Sequence, residues 1–137
     1  MKNQYILIID SYDAGNELVR QNLFDLGNKK IITAKTYSEA DRIIDLLNNK
    51  KREYIAIADS HIFSDCQHTS TSELLKKVVN SGNLAVLHSS EPLISLDNGL
   101  KKLIREGMNY VSKSPDSLGD ENEFFERILA PLGLERD

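Results

Sequence analysis

The sequence has 137 residues, enough for one domain with a single hydrophobic core. Its 17 basic and 21 acidic side chains give a formal charge of −4, which argues against an extended nucleic-acid interface. A single cysteine excludes an internal disulfide and favours a reducing compartment. We expect neither a signal peptide nor a membrane span, because no apolar run approaches the roughly 20 residues that a span requires. The predicted location is therefore the cytoplasm.

The first predicted elements are an apolar strand and an amphipathic helix. Tyr5–Ile9 is wholly apolar, which predicts a buried strand, and the carboxylate of Asp10 follows it. Asp13 is a candidate N-cap of the next helix, and Gly27 is a candidate left-handed stop. The apolar face of this helix is predicted to consist of Leu18, Val19, Leu23 and Leu26.

A short second strand and a second helix follow. Ile31–Ala34 is the predicted strand, and Ser38 is the candidate N-cap of the helix. The helix is predicted from apolar residues at the spacing i, i+3, i+4, i+7, which are Ala40, Ile43, Ile44 and Leu47. The polar and basic residues 48–52 are predicted to form a solvated helix end and loop.

The stretch 54–63, YIAIADSHIF, begins with five apolar residues and then reaches Asp59. Continuous apolar runs are typical of strands that are buried on both faces. We predict a central strand that delivers Asp59 to the edge of the sheet where ligand crevices of open parallel sheets lie. A lone acid at a strand end can also simply cap a turn, so the interpretation depends on what the other strands deliver.

A third helix and a fourth strand follow the polar loop 64–72. Ser70 and Glu73 resemble a capping box at the start of the helix, and Gly82 is expected to end it. Its buried stripe is predicted to be Leu74, Leu75, Val78 and Val79. The apolar strand 84–88 then leads to the hydroxyl of Ser89.

The last predicted elements are a helix, a strand and a final helix. Pro92 permits the start of the fourth helix and Gly107 ends it. Asn109–Ser112 is a short strand that delivers Lys113 to the same edge of the sheet. Two apolar faces are predicted, Leu96, Leu100, Leu103 and Ile104 in the fourth helix and Phe124, Phe125, Ile128, Leu129 and Leu132 in the final helix.

Five strands that alternate with five helices predict an α/β fold. The expected architecture is a doubly wound five-stranded parallel sheet with helices on both faces, because each right-handed crossover between parallel strands needs a helix. The flavodoxin-like strand order 2-1-3-4-5 suits five strands and makes the first and third strands neighbours. Asp10 and Asp59 would then lie side by side. We predict one domain over residues 1–137, with its core at about 5–132.

Four strand ends thus carry two carboxylates, a hydroxyl and an ammonium: Asp10, Asp59, Ser89 and Lys113. Two close carboxylates make a weak oxygen site for Mg²⁺, and one of them can attack phosphorus as a nucleophile. The hydroxyl and the lysine would hold the oxygens of a transferred phosphoryl group. In this order, these residues resemble the receiver domain of bacterial two-component response regulators, and the resemblance extends from Tyr5 to about Leu132.

The resemblance implies a role for each residue. Asp59 would accept a phosphoryl group, with Asp10, Asp59 and the backbone carbonyl of His61 holding Mg²⁺. Ser89 and Lys113 would complete the phosphoryl site, and Ser89 and Tyr110 would shift as the domain switches. The positions that tune phosphoryl lifetime in the family correspond to His61 and Glu91.

The resemblance also implies partners. The donor would be a sensor histidine kinase or a phosphotransfer protein, and a downstream protein would bind the face made by the fourth helix, the fifth strand and the final helix. A homodimer is a further expectation. The domain would be a signalling module and not an enzyme beyond its own phosphorylation and dephosphorylation, with no direct contact to nucleic acid or membrane.

The sequence departs from the family pattern in three places. Ser11 stands where receivers carry a second acid, which should weaken Mg²⁺ binding. The usual Met-Pro and Gly after the acceptor are missing, since the chain continues with Ile62 and Phe63. Ser114 separates Lys113 from Pro115, whereas proline follows the lysine directly in the family.

Two functions remain open. The first is a working phosphoacceptor switch, and the second is a pseudo-receiver that binds proteins without phosphorylation, which Ser11 and the altered loops favour. A flavin or nucleotide binder is disfavoured because no Gly-rich phosphate loop follows any strand. A zinc site at His61, Asp65, Cys66 and His68 is disfavoured because the loop has one cysteine. Whether an output domain follows Asp137 is open.

Overall fold

The computed structural model describes residues 5–62, 70–113 and 120–136. Its strands are β1 (Tyr5–Ile9), β2 (Ile31–Ala34), β3 (Tyr54–Ala58), β4 (Leu84–Ser89) and β5 (Asn109–Ser112). They form one sheet in the order β2-β1-β3-β4-β5, and every pairing is parallel. The predicted fold class and strand order are confirmed.

The register of the central strands sets the position of the two acids. Ile9, the last residue of β1, lies opposite Ala58, the last residue of β3. The amide of Asp59 donates to the carbonyl oxygen of Ile9 at 2.9 Å. Asp10 and Asp59 are therefore neighbours at the carboxyl edge of the sheet, and all five residues of β3 are buried as its apolar run predicts.

The main helices are α1 (Asp13–Asp25), α2 (Tyr37–Asn49), α3 (Thr71–Asn80) and α4 (Asn98–Arg105). The final helix, α5, consists of an α-helical turn (Glu121–Phe124), a π-helical stretch (Phe125–Leu129) and a 3₁₀ turn (Ala130–Leu132). None of the helices in the described ranges is long and apolar enough to cross a bilayer.

The core has two layers, one on each face of the sheet. Alternate residues of β1 point to opposite faces, so Leu7 and Ile9 pack with α2, α3 and α4, whereas Ile6 and Ile8 pack with α1 and α5. Two residues predicted to be buried are instead largely exposed, Leu18 at 48% and Val79 at 40%. Both lie beside a correctly predicted core position, and the helical repeat of 3.6 residues turns them away from the sheet.

Two predicted helix starts are wrong by one or two residues. Asp13 is the first residue of α1 and not its cap, and Tyr12, the N-cap, makes no side-chain capping bond. Thr36 caps α2 by accepting a hydrogen bond from the Glu39 amide at 3.2 Å, so Ser38 lies inside the helix. Ser70 caps α3 as predicted and accepts from the Glu73 amide at 3.2 Å.

The segment after β4 also differs from its prediction. Pro92 precedes a single 3₁₀ turn, Leu93–Ser95, and α4 begins only at Asn98. Asp97 caps α4 by accepting from the Leu100 amide at 2.8 Å. The predicted glycine stops are confirmed where α1, α3 and α4 end, since Gly27, Gly82 and Gly107 have φ angles of +91°, +85° and +114°.

Candidate functional site

Lys113 joins the two strand-end acids. Its Nζ atom donates to Asp59 Oδ2 at 2.5 Å and to Asp10 Oδ2 at 2.9 Å. Both carboxylates are buried, and the lysine side chain is mostly covered as well. The structure thus brings together three of the predicted site residues, from the ends of β1, β3 and β5. The buried charges are compensated by contact with each other, as buried ions must be.

The protonation state of Lys113 follows from its surroundings. Burial by itself opposes the positive charge, but the hydrogen bonds to Asp59 and Asp10 and their attraction outweigh it and raise the pKa of Lys113 above its usual value. The lysine is therefore an ammonium at neutral pH. The pocket holds two negative charges and one positive charge at its centre.

Backbone amides fix the second oxygen of each acid. Asp59 Oδ1 accepts from the His61 amide at 3.1 Å, and Asp10 Oδ1 accepts from the Tyr12 amide at 2.9 Å. Gly15, in the first turn of α1, lies against Asp10, because a Cβ atom there would be 2.6 Å from Asp10 Oδ2. Only a residue without a side chain lets α1 approach the acid this closely.

Ser89 is fully buried at the end of β4, and its hydroxyl has two partners. It accepts a hydrogen bond from the Glu91 amide at 3.0 Å, and it lies 2.5 Å from the hydroxyl of Ser60. Ser60 Oγ is also 3.5 Å from Asp59 Oδ1. Sequence reasoning missed Ser60, although a hydroxyl directly after a strand-end acid and beside the neighbouring strand's Ser89 was a usable signal.

Glu91 connects His61, Tyr110 and Ser89. His61 Nε2 lies 2.5 Å from Glu91 Oε2, which links the segment after β3 to the segment after β4. The Tyr110 hydroxyl donates to the Glu91 carbonyl oxygen at 2.6 Å. Burial, followed by the nearby Glu91 charge, raises the pKa of Tyr110, so this hydroxyl keeps its proton. The predicted switch and tuning residues are thus in contact with one another.

Ser11 stands where the resemblance implies a second acid for Mg²⁺, but its hydrogen-bond partner is a backbone carbonyl. Its hydroxyl donates to the Lys35 carbonyl oxygen at 2.6 Å. Within the described ranges no group of three His, Cys, Asp or Glu side chains could hold a metal ion. The two carboxylates fit a hydrated Mg²⁺ ion, which commonly uses one or two carboxylates and keeps several waters. The third acid that would strengthen such a site is missing.

Asn16 is a second residue that sequence reasoning missed. Its amide nitrogen donates to the Asp10 carbonyl oxygen at 2.5 Å, which ties α1 to the end of β1. Its Oδ1 atom is buried and has no hydrogen-bond partner among the described residues. A polar residue in the first turns of α1, at the spacing of the helix's buried positions Val19 and Leu23, was the signal that could have found it.

Several predictions fall outside the described residues. Phe63, Asp65, Cys66 and His68 belong to 63–69, and Ser114 and Pro115 belong to 114–119. The zinc alternative and the departure after Lys113 therefore stay predictions.

A cavity of about 500 Å³ lies beside the acids and is lined by Tyr12, Tyr37 and Ser60 among others.

No family model matches the sequence, and no curated protein matches it. Solved structures match its fold. The signal receiver domain of a putative LuxO repressor protein from Vibrio parahaemolyticus has a TM-score of 0.66 at 13% identity, with 95% of this chain and 90% of that chain covered. The receiver domain of the histidine kinase CKI1 from Arabidopsis thaliana, complexed with Mg²⁺ and BeF₃⁻, has a TM-score of 0.61 at 14% identity, with 91% and 89% covered.

A de novo designed Rossmann 2x3 protein has the same TM-score to this chain as the CKI1 receiver domain has. Its TM-score is 0.61 at 18% identity, with 100% of this chain and 95% of that chain covered. The chain therefore has the fold of receiver domains. Because a designed protein shares the fold, the fold alone does not assign a function, and the site residues have to do so.

Proposed function

We propose that this chain is a response-regulator receiver in which Asp59 accepts a phosphoryl group. The observation that carries the proposal is the contact of Lys113 with both Asp10 and Asp59 at the carboxyl edge of a receiver-like sheet. Positioned carboxylates, an ammonium and a hydroxyl are what phosphoryl transfer needs, since its catalysis consists mainly of positioning and charge neutralisation.

In the proposed reaction a carboxylate oxygen of Asp59 attacks the phosphorus atom of the donor. A new O–P bond forms, and the bond from phosphorus to the donor breaks with its electron pair leaving on the donor. The product is an acyl phosphate on Asp59. The ammonium of Lys113, already 2.5 Å from Asp59 Oδ2, is placed to neutralise the charge on the phosphoryl oxygens.

Asp10 and Asp59, with the His61 carbonyl, are the residues that would hold Mg²⁺. The ion would supply further positive charge to the phosphoryl oxygens when bound. Ser11 does not contribute a charge, and its hydroxyl is engaged with the Lys35 carbonyl. We therefore propose a weak metal site.

The proposed donor is a sensor histidine kinase or a phosphotransfer protein. The proposed output is the binding of a downstream protein, or of a second copy in a homodimer, to the face made by α4, β5 and α5. Ile94 is 84% exposed and offers apolar surface in the 3₁₀ turn that follows Glu91, the residue whose carbonyl accepts from the Tyr110 hydroxyl. A signalling role without enzymatic turnover and a cytoplasmic location complete the proposal.

One observation favours the second candidate, a pseudo-receiver that acts by protein contact alone. Ser11 stands where the resemblance implies the second acid, and its hydroxyl is hydrogen-bonded to the Lys35 carbonyl oxygen. Two carboxylates that share one ammonium attract a divalent cation less strongly than a site with three acids does.

The intact mass after incubation with acetyl phosphate and Mg²⁺ tests both candidates. A phosphoacceptor gains the mass of one phosphoryl group, and the gain disappears in Asp59→Asn and in a sample held in chelator. Asp13→Asn is the matched control, because Asp13 is a carboxylate near the same edge with a side chain 80% exposed. If the folded protein shows no gain with acetyl phosphate or with phosphorylated donor proteins, the phosphoacceptor proposal fails and the pseudo-receiver replaces it.

A further inference from the structure

We propose that Ser60 is a positioning residue that holds the Ser89 hydroxyl in its resting orientation and competes with a phosphoryl group for it. The inference rests on the proposed function and goes beyond it by assigning a role to Ser60. Its basis is the distance of 2.5 Å between the two hydroxyl oxygens, inside the hydrogen-bond range.

Chemistry sets the direction of the hydrogen bonds around this pair. The Glu91 amide can only donate, and it donates to Ser89 Oγ at 3.0 Å. The Asp59 carboxylate can only accept, and Ser60 Oγ is the hydroxyl beside its Oδ1 atom, at 3.5 Å. The consistent arrangement has Ser89 donating its hydrogen to Ser60, while Ser60 directs its own hydrogen towards Asp59.

Burial makes the partner of Ser89 important. Ser89 is fully buried, so water does not offer its hydroxyl hydrogen an alternative acceptor. Ser60 itself is anchored, because its carbonyl oxygen accepts from the Thr71 hydroxyl at 3.2 Å. The resting orientation of Ser89 is thus fixed by a residue attached to α3 and not by Asp59 directly.

Phosphorylation would introduce a stronger acceptor next to the pair. An oxygen of a phosphoryl group carries negative charge and forms stronger hydrogen bonds than a neutral hydroxyl does. Ser89 must then leave Ser60 to bind that oxygen. Its movement would alter the bond to the Glu91 amide, and the Glu91 carbonyl is the acceptor of the Tyr110 hydroxyl. Ser60 therefore sets how easily the signal passes from Asp59 to Tyr110.

The first test uses the unmodified protein. In Ser60→Ala, the Glu91 amide signal in a ¹H–¹⁵N NMR spectrum should shift, because its acceptor Ser89 loses a partner. In a Ser89→Ala background, adding Ser60→Ala should cause no further shift of the Glu91 amide signal. Ser60→Thr should restore the wild-type position, since it keeps the hydroxyl at a residue that lines a cavity. If Ser60→Ala shifts the Glu91 amide signal equally with Ser89 present and with Ser89→Ala, the proposed hydrogen bond between Ser60 and Ser89 is wrong.

The second test measures the affinity for beryllofluoride in the presence of Mg²⁺. Ser60→Ala should bind it roughly two- to tenfold more tightly, the value of one lost hydrogen bond in the resting state. In the Ser89→Ala background Ser60→Ala should change nothing. Weaker binding by Ser60→Ala would overturn the competition and make Ser60 a direct ligand.

The two tests separate two kinds of failure. If no variant binds beryllofluoride but the NMR result is as expected, the proposed phosphoacceptor function and the competition both fail while the hydrogen bond stands. If Ser60→Ala binds beryllofluoride with the affinity of the wild type and the NMR shifts are independent of Ser89, the proposed function survives and the role of Ser60 is wrong.

Discussion

His88 is a buried histidine one residue before Ser89, and its protonation should control the stability of the fold in mild acid. Only 2% of the residue is exposed. Burial, reinforced by the positive charge of Lys113 and opposed by the negative charge of Asp59, lowers the pKa of His88 from 6.5 to about 4. The imidazole is therefore neutral in the folded protein at neutral pH. The proposed perturbation is His88→Gln, which removes the titration and keeps polar atoms.

The size of the effect follows from this pKa. Between pH 6.5 and about 4 the unfolded chain binds a proton at His88 that the folded protein does not bind, so stability falls as the pH falls. One pKa unit corresponds to about 1.36 kcal/mol, and the lowering of the pKa to about 4 amounts to roughly 3 kcal/mol over this window. Above pH 7 the contribution is constant.

Urea unfolding at intervals from pH 7.5 to 4 measures this contribution. The difference in unfolding free energy between wild type and His88→Gln should shrink by roughly 3 kcal/mol as the pH falls, whatever its value at pH 7. The carboxylates titrate in both proteins, so they largely cancel in the difference. His61→Gln is the control substitution, because it makes the same change at a largely exposed histidine. Parallel curves for wild type and His88→Gln would refute the reasoning.

Lys113→Ala should lower the free energy of unfolding at pH 7 by roughly 3–5 kcal/mol, because it leaves two buried carboxylates without their cation. A loss below about 1 kcal/mol in urea unfolding would contradict the compensating role of the lysine. Ser11→Asp should tighten Mg²⁺ binding by roughly tenfold or more in a calorimetric titration, because a third carboxylate joins Asp10 and Asp59. Ser11→Asn, which adds no charge, is the matched control, and equal affinities for the two variants would show that the ion does not bind at this edge.

The fold could be predicted because its determinants are local. Uncharged runs such as Tyr54–Ala58 are long enough only for buried strands. The glycines after α1, α3 and α4 have the positive φ angles that favour glycine. Parallel strands then force the acids that follow β1 and β3 onto one edge, which is why Asp10 and Asp59 could be predicted to be neighbours. The bridge that Lys113 makes between them was not predicted.

Helix starts and side-chain partners were harder to predict because several residues compete for one role. Thr36 and Ser38 are both good N-caps two residues apart, and the three-dimensional path of the chain after β2 selects Thr36. Ser60 went unnoticed for a related reason. Serine commonly follows a strand, so its presence alone predicts no role. The role of Ser60 depends on β4, which brings Ser89 within 2.5 Å.

Ser11 and the bridging by Lys113 both weaken the attraction of the pocket for a divalent ion. Without a third carboxylate the centre of the pocket carries two negative charges and one positive charge, so its attraction for Mg²⁺ is weaker than that of a three-acid site. The same change removes a repulsion that would otherwise destabilise the metal-free state. Lys113 bridges both acids, so a metal ion would have to compete with the ammonium for Asp10 and Asp59. The arrival of a phosphoryl group would end this competition, because its oxygens give the ammonium a new partner and leave the carboxylate of Asp10 to the ion. The affinity for Mg²⁺ should therefore be higher with beryllofluoride present than without it, and this coupling distinguishes a working phosphoacceptor from a pseudo-receiver.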